Sequence, residues 1–274
     1  TTQGTRYGLF PEGLGKRIVN GDKSEYPEVS KHSEICCTTD MIEIALLLGR
    51  HVDHSYYDHA ERYLNHLLAS QLDDISWIKP SPDIEDTQVF TYRNVPQRYR
   101  GAFTGRTTPN DLTNYGRYDN MGCCVAAGGR GLFMLWDAAA TYVDRKMEVN
   151  LWIEVDNDRI KINHKYGEGK TGFTIAKDCD LLRIRIPSWL SDKKDYICSA
   201  VVTSQPIEKD SHQFDGNYMV FYNIPSGTTV EISYPDYEYE DIQIFCGEEY
   251  KVFWNGNRVV EVLPRGSYMP LYTR

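Results

Sequence analysis

The stretch 147–166, MEVNLWIEVDNDRIKINHKY, divides the sequence into two parts of different periodicity. Apolar and polar residues alternate along it, and the tripeptide DND at 156–158 is typical of a turn between two strands. The same strand–turn–strand pattern recurs at 217–234, with a Ser-Gly turn, and at 250–264, with an Asn-Gly turn. Many short strands joined by such turns predict an all-β sandwich over residues 147–274.

The part upstream of that stretch has helical periodicity. Apolar residues recur three and four positions apart at about 39–52, 57–72 and 123–143. Between the second and third of these helices, residues 73–121 form an irregular stretch rich in Pro, Asn, Thr, Tyr and Arg, and a stretch of that length in a compact domain usually has a function. Three helices cannot close a barrel. Either they pack onto the sandwich, or the chain is the C-terminal portion of a larger protein, which its loop-like beginning favours.

The composition argues against several classes of protein. The chain has 274 residues, of which 41% are hydrophobic and 25% charged, and its mean hydropathy is -0.51. A net charge of -9 disfavours nucleic acid or an anionic membrane as the main partner, since both select a basic surface. No apolar run reaches the 18 residues of a membrane-spanning helix. The beginning of the sequence carries no recognisable targeting signal, so it does not define the compartment. The sequence does not define the oligomeric state either.

The cysteines are distributed unusually. There are seven, an odd number without regular spacing, which argues against a disulfide framework. Four of them form two adjacent pairs, Cys36-Cys37 and Cys123-Cys124, and a disulfide within such a pair would be strained. The other three lie in strand-like segments, where we expect buried, unreactive thiols: Cys179, Cys198 and Cys246.

Both cysteine pairs lie next to predicted helix N-termini. Exposed N–H groups at such positions favour thiolates. If the two helices are neighbours, three cysteines and Glu34 could converge on a tetrahedral zinc ion. The spacing matches no common structural zinc motif, so buried packing remains the alternative at this stage.

Several phrases of the sequence occur in the order found in bacterial β-L-arabinofuranosidases. The chain resembles this group, glycoside hydrolase family 127 and its relatives, from about residue 30 onward. The most specific phrase is E-x-C before one helix with a Cys pair before another. The phrases that carry the resemblance are HSEICCTTDMIEIALLLG (32–49), YYDHAERYLNHLLASQ (56–71), GCCVAAGGRGLFMLWDAAATYVD (122–144), LLRIRIPSW (181–189) and VVEVLPRGSYMPLY (259–272).

The resemblance implies an α+β multidomain protein. Members of the family have an (α/α)6 barrel followed by β-sandwich domains. We therefore expect residues 1–146 to be the C-terminal part of such a barrel, with about three long helices, and residues 147–274 to be a β-sandwich.

The resemblance also implies a zinc site and a reaction. It assigns Glu34, Cys36, Cys123 and Cys124 as zinc ligands, and Cys123 as the nucleophile of a retaining glycosidase. The expected substrate is an oligosaccharide or polysaccharide of plant origin that carries L-arabinofuranose-type sugars, and a bacterial enzyme of this kind would be periplasmic or cytoplasmic. The thiolate would attack the anomeric carbon while a carboxylic acid protonates the leaving oxygen.

The acid/base residue is a glutamate upstream of E-x-C in the family. Glu12, Glu25 and Glu28 match that position here. Glu12 is preferred, because its apolar and glycine neighbours would raise the pKa of a buried carboxyl, as a general acid requires. For all three, ordinary surface charge is the alternative.

Other polar residues are weaker candidates. Tyr92, Arg98 and Tyr99 belong to a Tyr/Arg-rich loop that could form a sugar-binding rim or a contact between the helices and the sandwich. His54 is a fourth candidate for substrate binding. A solvated helix face or a helix cap explains most of the polar residues on or beside the second helix, which include Asp58, Glu61, His59 and His66.

The sequence departs from the family pattern after the second cysteine pair. The family commonly continues with Pro and then Asn, whereas VAAGGRG follows here. This departure motivates a rival hypothesis, a non-catalytic carbohydrate-binding or scaffold protein with a structural zinc ion or none. A redox or metal-storage role is disfavoured because no C-x-x-C motif is present.

Overall fold

The computed structural model describes residues 4–11, 32–72, 76, 84–112, 122–191, 199–203 and 213–272. Its helical part contains the three predicted long helices and one short helix. They are α1 (Ile35–His51), α2 (Tyr56–Ala69), α3 (Val95–Tyr99) and α4 (Gly122–Ala138). None of the described helices combines the length and apolar character needed to cross a bilayer.

Two helix boundaries differ from the sequence prediction. α1 begins at Ile35 rather than near Thr39, so its cysteines lie in its first turn and not ahead of it. α4 ends at Ala138 rather than at Val143, because the following residues form a strand that pairs with the next one.

The strands form the predicted sandwich. One sheet has the order β10-β11-β8-β4-β3 and the other β5-β6-β7-β12-β9, and their inner residues belong to one apolar cluster. The strands are β3 (Ala140–Val143), β4 (Lys146–Val149), β5 (Val155–Asp156), β6 (Ile160–His164), β7 (Lys170–Ile175), β8 (Cys179–Arg185), β9 (Ser199–Thr203), β10 (Gln213–Asp215), β11 (Tyr218–Ile224) and β12 (Thr229–Ser233). The short helix α5 (Ser188–Ser191) follows β8.

A third, three-stranded sheet follows the sandwich. It consists of β13 (Glu238–Phe245), β14 (Glu248–Asn255) and β15 (Arg258–Leu263), joined as antiparallel neighbours. Tyr7 and Leu9, from the beginning of the chain, pack with its inner face in a separate apolar cluster.

The three predicted turns are present, and one has a different role from the prediction. The turns at 156–158 and 255–256 join antiparallel neighbours. The turn at 226–227 instead connects β11 to β12, which lie in opposite sheets of the sandwich. Alternation of apolar residues identifies a strand but does not specify which sheet it joins.

The helices pack directly on the sandwich. Residues of α1, α2, α4 and both five-stranded sheets belong to one apolar cluster, which also contains the buried Trp189. The described residues hold three long helices, and the closed (α/α)6 barrel and the division into residues 1–146 and 147–274 stay predictions.

A buried polar network fastens α2 to the sandwich. The Arg185 guanidinium of β8 donates to Asp58 Oδ1 at 3.0 Å and also pairs with Glu61. Asn257 Nδ2 donates to Asp58 Oδ1 at 3.1 Å and to Glu61 Oε2 at 2.6 Å. The main-chain N–H of Trp152 donates to Glu61 Oε1 at 2.7 Å. The interpretation of Asp58 and Glu61 as a solvated face or cap was wrong: both are 2% exposed.

The cysteines outside the two pairs differ in their environments. Cys179 is buried at the start of β8, as predicted. Cys246 is only half-buried and lies in the turn between β13 and β14 with a φ of 51°, so it is not a core thiol. Cys198 lies outside the described residues.

Candidate metal centre

Three of the four predicted zinc ligands meet where two helices begin. Cys36 is the second residue of α1, and Cys123 and Cys124 are the second and third residues of α4. Cys36 Sγ lies 3.7 Å from Cys124 Sγ, and Cys123 Sγ lies 3.8 Å from Cys124 Sγ. All three sulfur atoms lie within 4.8 Å of one another.

These distances fit a zinc ion. Zinc binds thiolates at about 2.3 Å in tetrahedral geometry, which places two sulfur ligands about 3.8 Å apart. The two sulfur–sulfur distances that involve Cys124 match this value. The donor set is therefore compatible with zinc in both chemistry and spacing, with Cys36, Cys123 and Cys124 as the residues that would hold it.

The three cysteines differ in exposure. Cys124 is fully buried, Cys36 is half-buried and Cys123 is exposed. Burial raises the pKa of the Cys36 and Cys124 thiols, so metal binding at neutral pH would release their protons. The Cys124 thiol donates to the Gly105 carbonyl at 3.4 Å. Of the three sulfurs, only Cys123 is therefore positioned to meet a molecule from solvent.

Glu34 lies beside this cluster without joining it. It belongs to the two-residue strand β1 (Ser33–Glu34), which pairs with β2 (Arg106–Thr107) so that Glu34 faces Arg106. Arg106 Nη2 donates to Glu34 Oε1 at 3.4 Å. The carboxylate is not among the donors that lie within 4.8 Å of one another, so its role as a ligand stays a prediction.

Residues 103–107, which we call the strap, lie against Cys124 and α4. This segment has no helical or strand periodicity and lies inside the irregular stretch 73–121. The Phe103 ring packs against Gly128 of α4, where a Cβ atom would come within 2.2 Å of it. A Cβ at Gly131 would come within 3.0 Å of Leu67. The glycines of VAAGGRG thus allow the strap and α2 to approach α4 closely.

His66 anchors the strap from α2. Its Nε2 lies 2.6 Å from Thr107 Oγ1, and its Nδ1 lies 2.8 Å from the Tyr272 hydroxyl. Burial lowers the pKa of His66 to about 3, so the ring is neutral at physiological pH. The expectation of a solvated face was wrong for this residue, which is fully buried.

The predicted residues of the Tyr/Arg-rich loop bind mainly to the loop itself. Asp86 Oδ1 accepts the Tyr92 N–H at 2.8 Å, and Asp86 Oδ2 accepts from Arg98 at 2.7 Å. Three hydrogen bonds to main-chain and side-chain donors lower the pKa of Asp86 to about 2. Tyr99 ends α3 and is half-buried. The loop is thus internally ordered, and sugar binding by these residues stays a prediction.

The remaining candidates lie elsewhere or outside the described residues. His54 Nδ1 lies 2.6 Å from the Tyr218 hydroxyl and 3.5 Å from Glu148, on the sandwich side of the α1–α2 connection. The three acid/base candidates lie outside the described residues: Glu12, Glu25 and Glu28. A cavity of about 600 Å³ between α2 and β15 has none of the three clustered cysteines in its lining, so cavity size does not identify the site here.

Comparison with solved structures identifies the fold class. No protein-family model and no curated protein sequence matches the chain. A family 127 β-arabinofuranosidase aligns with 94% of this chain at 16% identity and a TM-score of 0.54. A protein described as a glycoside hydrolase also covers 94%, at 17% identity and a TM-score of 0.54. A family 127 β-L-arabinofuranosidase from Geobacillus stearothermophilus T6 covers 94%, at 15% identity and a TM-score of 0.52.

The chain therefore has the fold found in glycoside hydrolases of family 127, in agreement with the resemblance of the sequence. It spans less than half the length of these neighbours, between 40% and 45% of each. At this level of identity, the likeness establishes the fold and leaves the activity to be proposed from the site.

Proposed function

We propose that the protein is a zinc-thiolate glycosidase that retains anomeric configuration and releases L-arabinofuranose-type sugars from plant glycans. The observation that carries the proposal is the three-sulfur cluster, in which only Cys123 is exposed. Two structural neighbours are family 127 β-arabinofuranosidases, and this supports the substrate class.

The proposed reaction has two displacement steps. Cys123 Sγ attacks the anomeric carbon, so that a C–S bond forms as the glycosidic C–O bond breaks, while a carboxylic acid donates its proton to the leaving oxygen. Water then attacks the same carbon, gives a proton to the resulting carboxylate, and displaces the sulfur. Two inversions at one carbon give net retention.

The three cysteines have two roles in this proposal. A bound zinc ion would keep the thiols deprotonated at neutral pH. The buried Cys124 and the half-buried Cys36 hold the metal, and the exposed Cys123 meets the sugar. Glu12 remains the proposed proton donor, and Glu34 the proposed fourth ligand.

The test combines metal analysis with hydrolysis of an aryl β-L-arabinofuranoside. We expect about one zinc ion per chain, and we expect Cys123→Ser to lose hydrolysis. The buried Cys179 of the sandwich is the matched control, so Cys179→Ser should keep both properties. Full activity of metal-free protein would overturn the proposal. Glycan binding that survives Cys123→Ser, without sugar release by either protein, would favour the non-catalytic alternative.

A further inference from the structure

The proposed metal centre carries an excess of negative charge. A divalent zinc ion with three thiolates and one carboxylate has a net charge of -2. Cys124 and the half-buried Cys36 place part of that charge away from water. Uncompensated charge in such a setting is costly, so a cation next to the ligands would strengthen the site.

Among the described residues, Arg106 is a cation that pairs with Glu34, the predicted fourth ligand. It lies directly across the β1–β2 ladder from Glu34, and its guanidinium contacts Glu34 Oε1 at 3.4 Å. Both side chains are mostly buried, at 27% exposed for Arg106 and 18% for Glu34. An arginine binds a carboxylate through a planar set of donors, which fixes the orientation of the carboxylate as well as its charge.

The position of Arg106 is itself fixed by the strap. Gly105 accepts from the Cys124 thiol, and Thr107 lies against the buried His66. The two residues next to Arg106 in the chain therefore contact Cys124 of α4 and His66 of α2. These contacts fix the main chain on both sides of Arg106.

We propose that Arg106 is the positioning residue of the metal centre: it orients Glu34 for the zinc ion and compensates part of the negative charge of the ligand set. The inference rests on the proposed function for the identity of the metal. It assigns Arg106 no contact with substrate.

The test is the zinc affinity of the full-length chain, measured by competition with a chromophoric chelator. Removal of a residue that supports metal ligands typically weakens binding 10–100-fold, and we expect a loss in this range for Arg106→Gln. Arg106→Lys keeps the positive charge and should recover part of the lost zinc affinity. Arg130→Gln is the matched control, because Arg130 is likewise an arginine paired with carboxylates, those of Asp40 and Glu43 on α1, but at an exposed position. It should change the affinity less than twofold.

A double-mutant cycle tests whether Arg106 acts through Glu34. In a Glu34→Gln background the loss caused by Arg106→Gln should largely disappear. Cobalt-substituted protein gives a second readout: thiolate-to-cobalt absorption should persist in Arg106→Gln, while the visible ligand-field bands that report the fourth ligand should change. Equal zinc affinity in wild type and Arg106→Gln, or additive losses in the cycle, would overturn the role of Arg106.

Two further outcomes separate the inference from the proposed function. A wild-type chain that binds no zinc would overturn the proposed function and the inference together, whereas unchanged zinc affinity with a raised KM in Arg106→Gln would overturn the inference alone. If Arg106→Gln does not fold, the cycle is run with Arg106→Lys, where coupling to Glu34 supports the role and its absence refutes it.

Discussion

At the scale of single residues, glycine and histidine explain how the strap approaches the thiols. Gly128 provides the space that the Phe103 ring occupies, and His66 holds Thr107 from the opposite side. A glycine run inside a helix signals close approach, but the sequence could not identify the approaching residue. The meeting of the thiols was predicted from the resemblance to family 127, because the cysteine spacing alone left buried packing as the alternative. Their partner segment has no periodicity of its own.

We expect Gly128→Ala to destabilise the fold. The new methyl group would lie 2.2–2.6 Å from atoms of the Phe103 ring, and overpacking of this kind costs about 1–3 kcal/mol. Gly129, the next residue of α4, has open space around its Cβ position. Gly129→Ala should therefore be neutral or stabilising by up to about 1 kcal/mol. Urea denaturation measures both, and an equal effect of the two substitutions would contradict the packing explanation.

The buried His66 predicts a pH dependence of stability. Its pKa is about 3 in the folded protein and about 6.5 in an unfolded chain, so the unfolded state binds the additional proton between these values. The contribution of His66 to the free energy of unfolding is complete above pH 6.5 and is lost as the pH falls. Between pH 8 and pH 5 the free energy of unfolding should therefore fall by about 2 kcal/mol.

His66→Gln should remove this part of the slope when the free energy of unfolding is measured at several pH values. His59 and His164 also have lowered pKa values, near 4, and will keep part of the wild-type slope. The exposed His51 at the end of α1 provides the control substitution. A wild-type slope in His66→Gln would show that this ring does not titrate as the structure implies.

At the scale of elements, periodicity predicted what each segment is but not what it contacts. Spacing alone predicted the three long helices and the strands at 147–166, 217–234 and 250–264. The last of these lie in the separate three-stranded sheet, and the sandwich strand β3 was predicted as helix. The charged residues of α2 were misinterpreted, because a helix with many polar residues usually faces water. Their partner, Arg185, lies more than a hundred residues away in the sequence, on β8, and no local pattern indicates that pairing.

The network around Arg185 predicts a large loss on substitution. Arg185→Met would leave the Asp58 and Glu61 carboxylates buried without their cation, and breaking such a pair costs about 3–5 kcal/mol. Arg145→Met, which removes an exposed pair with Asp180, should cost less than about 1 kcal/mol. Thermal unfolding compares the two variants. Similar midpoints would mean that the network does not fasten α2 to the sandwich.

At the scale of the whole molecule, one apolar cluster joins the helices to both sheets of the sandwich. The fold therefore has a core that does not depend on metal. This differs from small zinc domains, in which metal binding supplies most of the folding free energy. Zinc should strengthen a structure that already exists.

We expect chelation of zinc to lower the unfolding temperature without unfolding the protein. A ligand at about 100 times its Kd stabilises by about 2.7 kcal/mol, which corresponds to roughly 5 °C for a chain of this size. The shift should be absent in Cys124→Ser and present in Cys179→Ser. A large loss of circular dichroism on chelation at 25 °C would contradict the metal-independent core.

The contact between His66 and Tyr272 has a consequence for the order of events during synthesis. The thiols and the strap are translated before Tyr272, which leaves the ribosome long after Cys124. Until then His66 lacks one of its two partners, and the strap that it anchors lacks part of its support. A nascent chain that contains the three clustered cysteines but not Tyr272 therefore lacks one of the contacts that support their final arrangement. On a ribosome stalled before residue 272, such a chain should bind the metal more weakly than a chain that includes Tyr272.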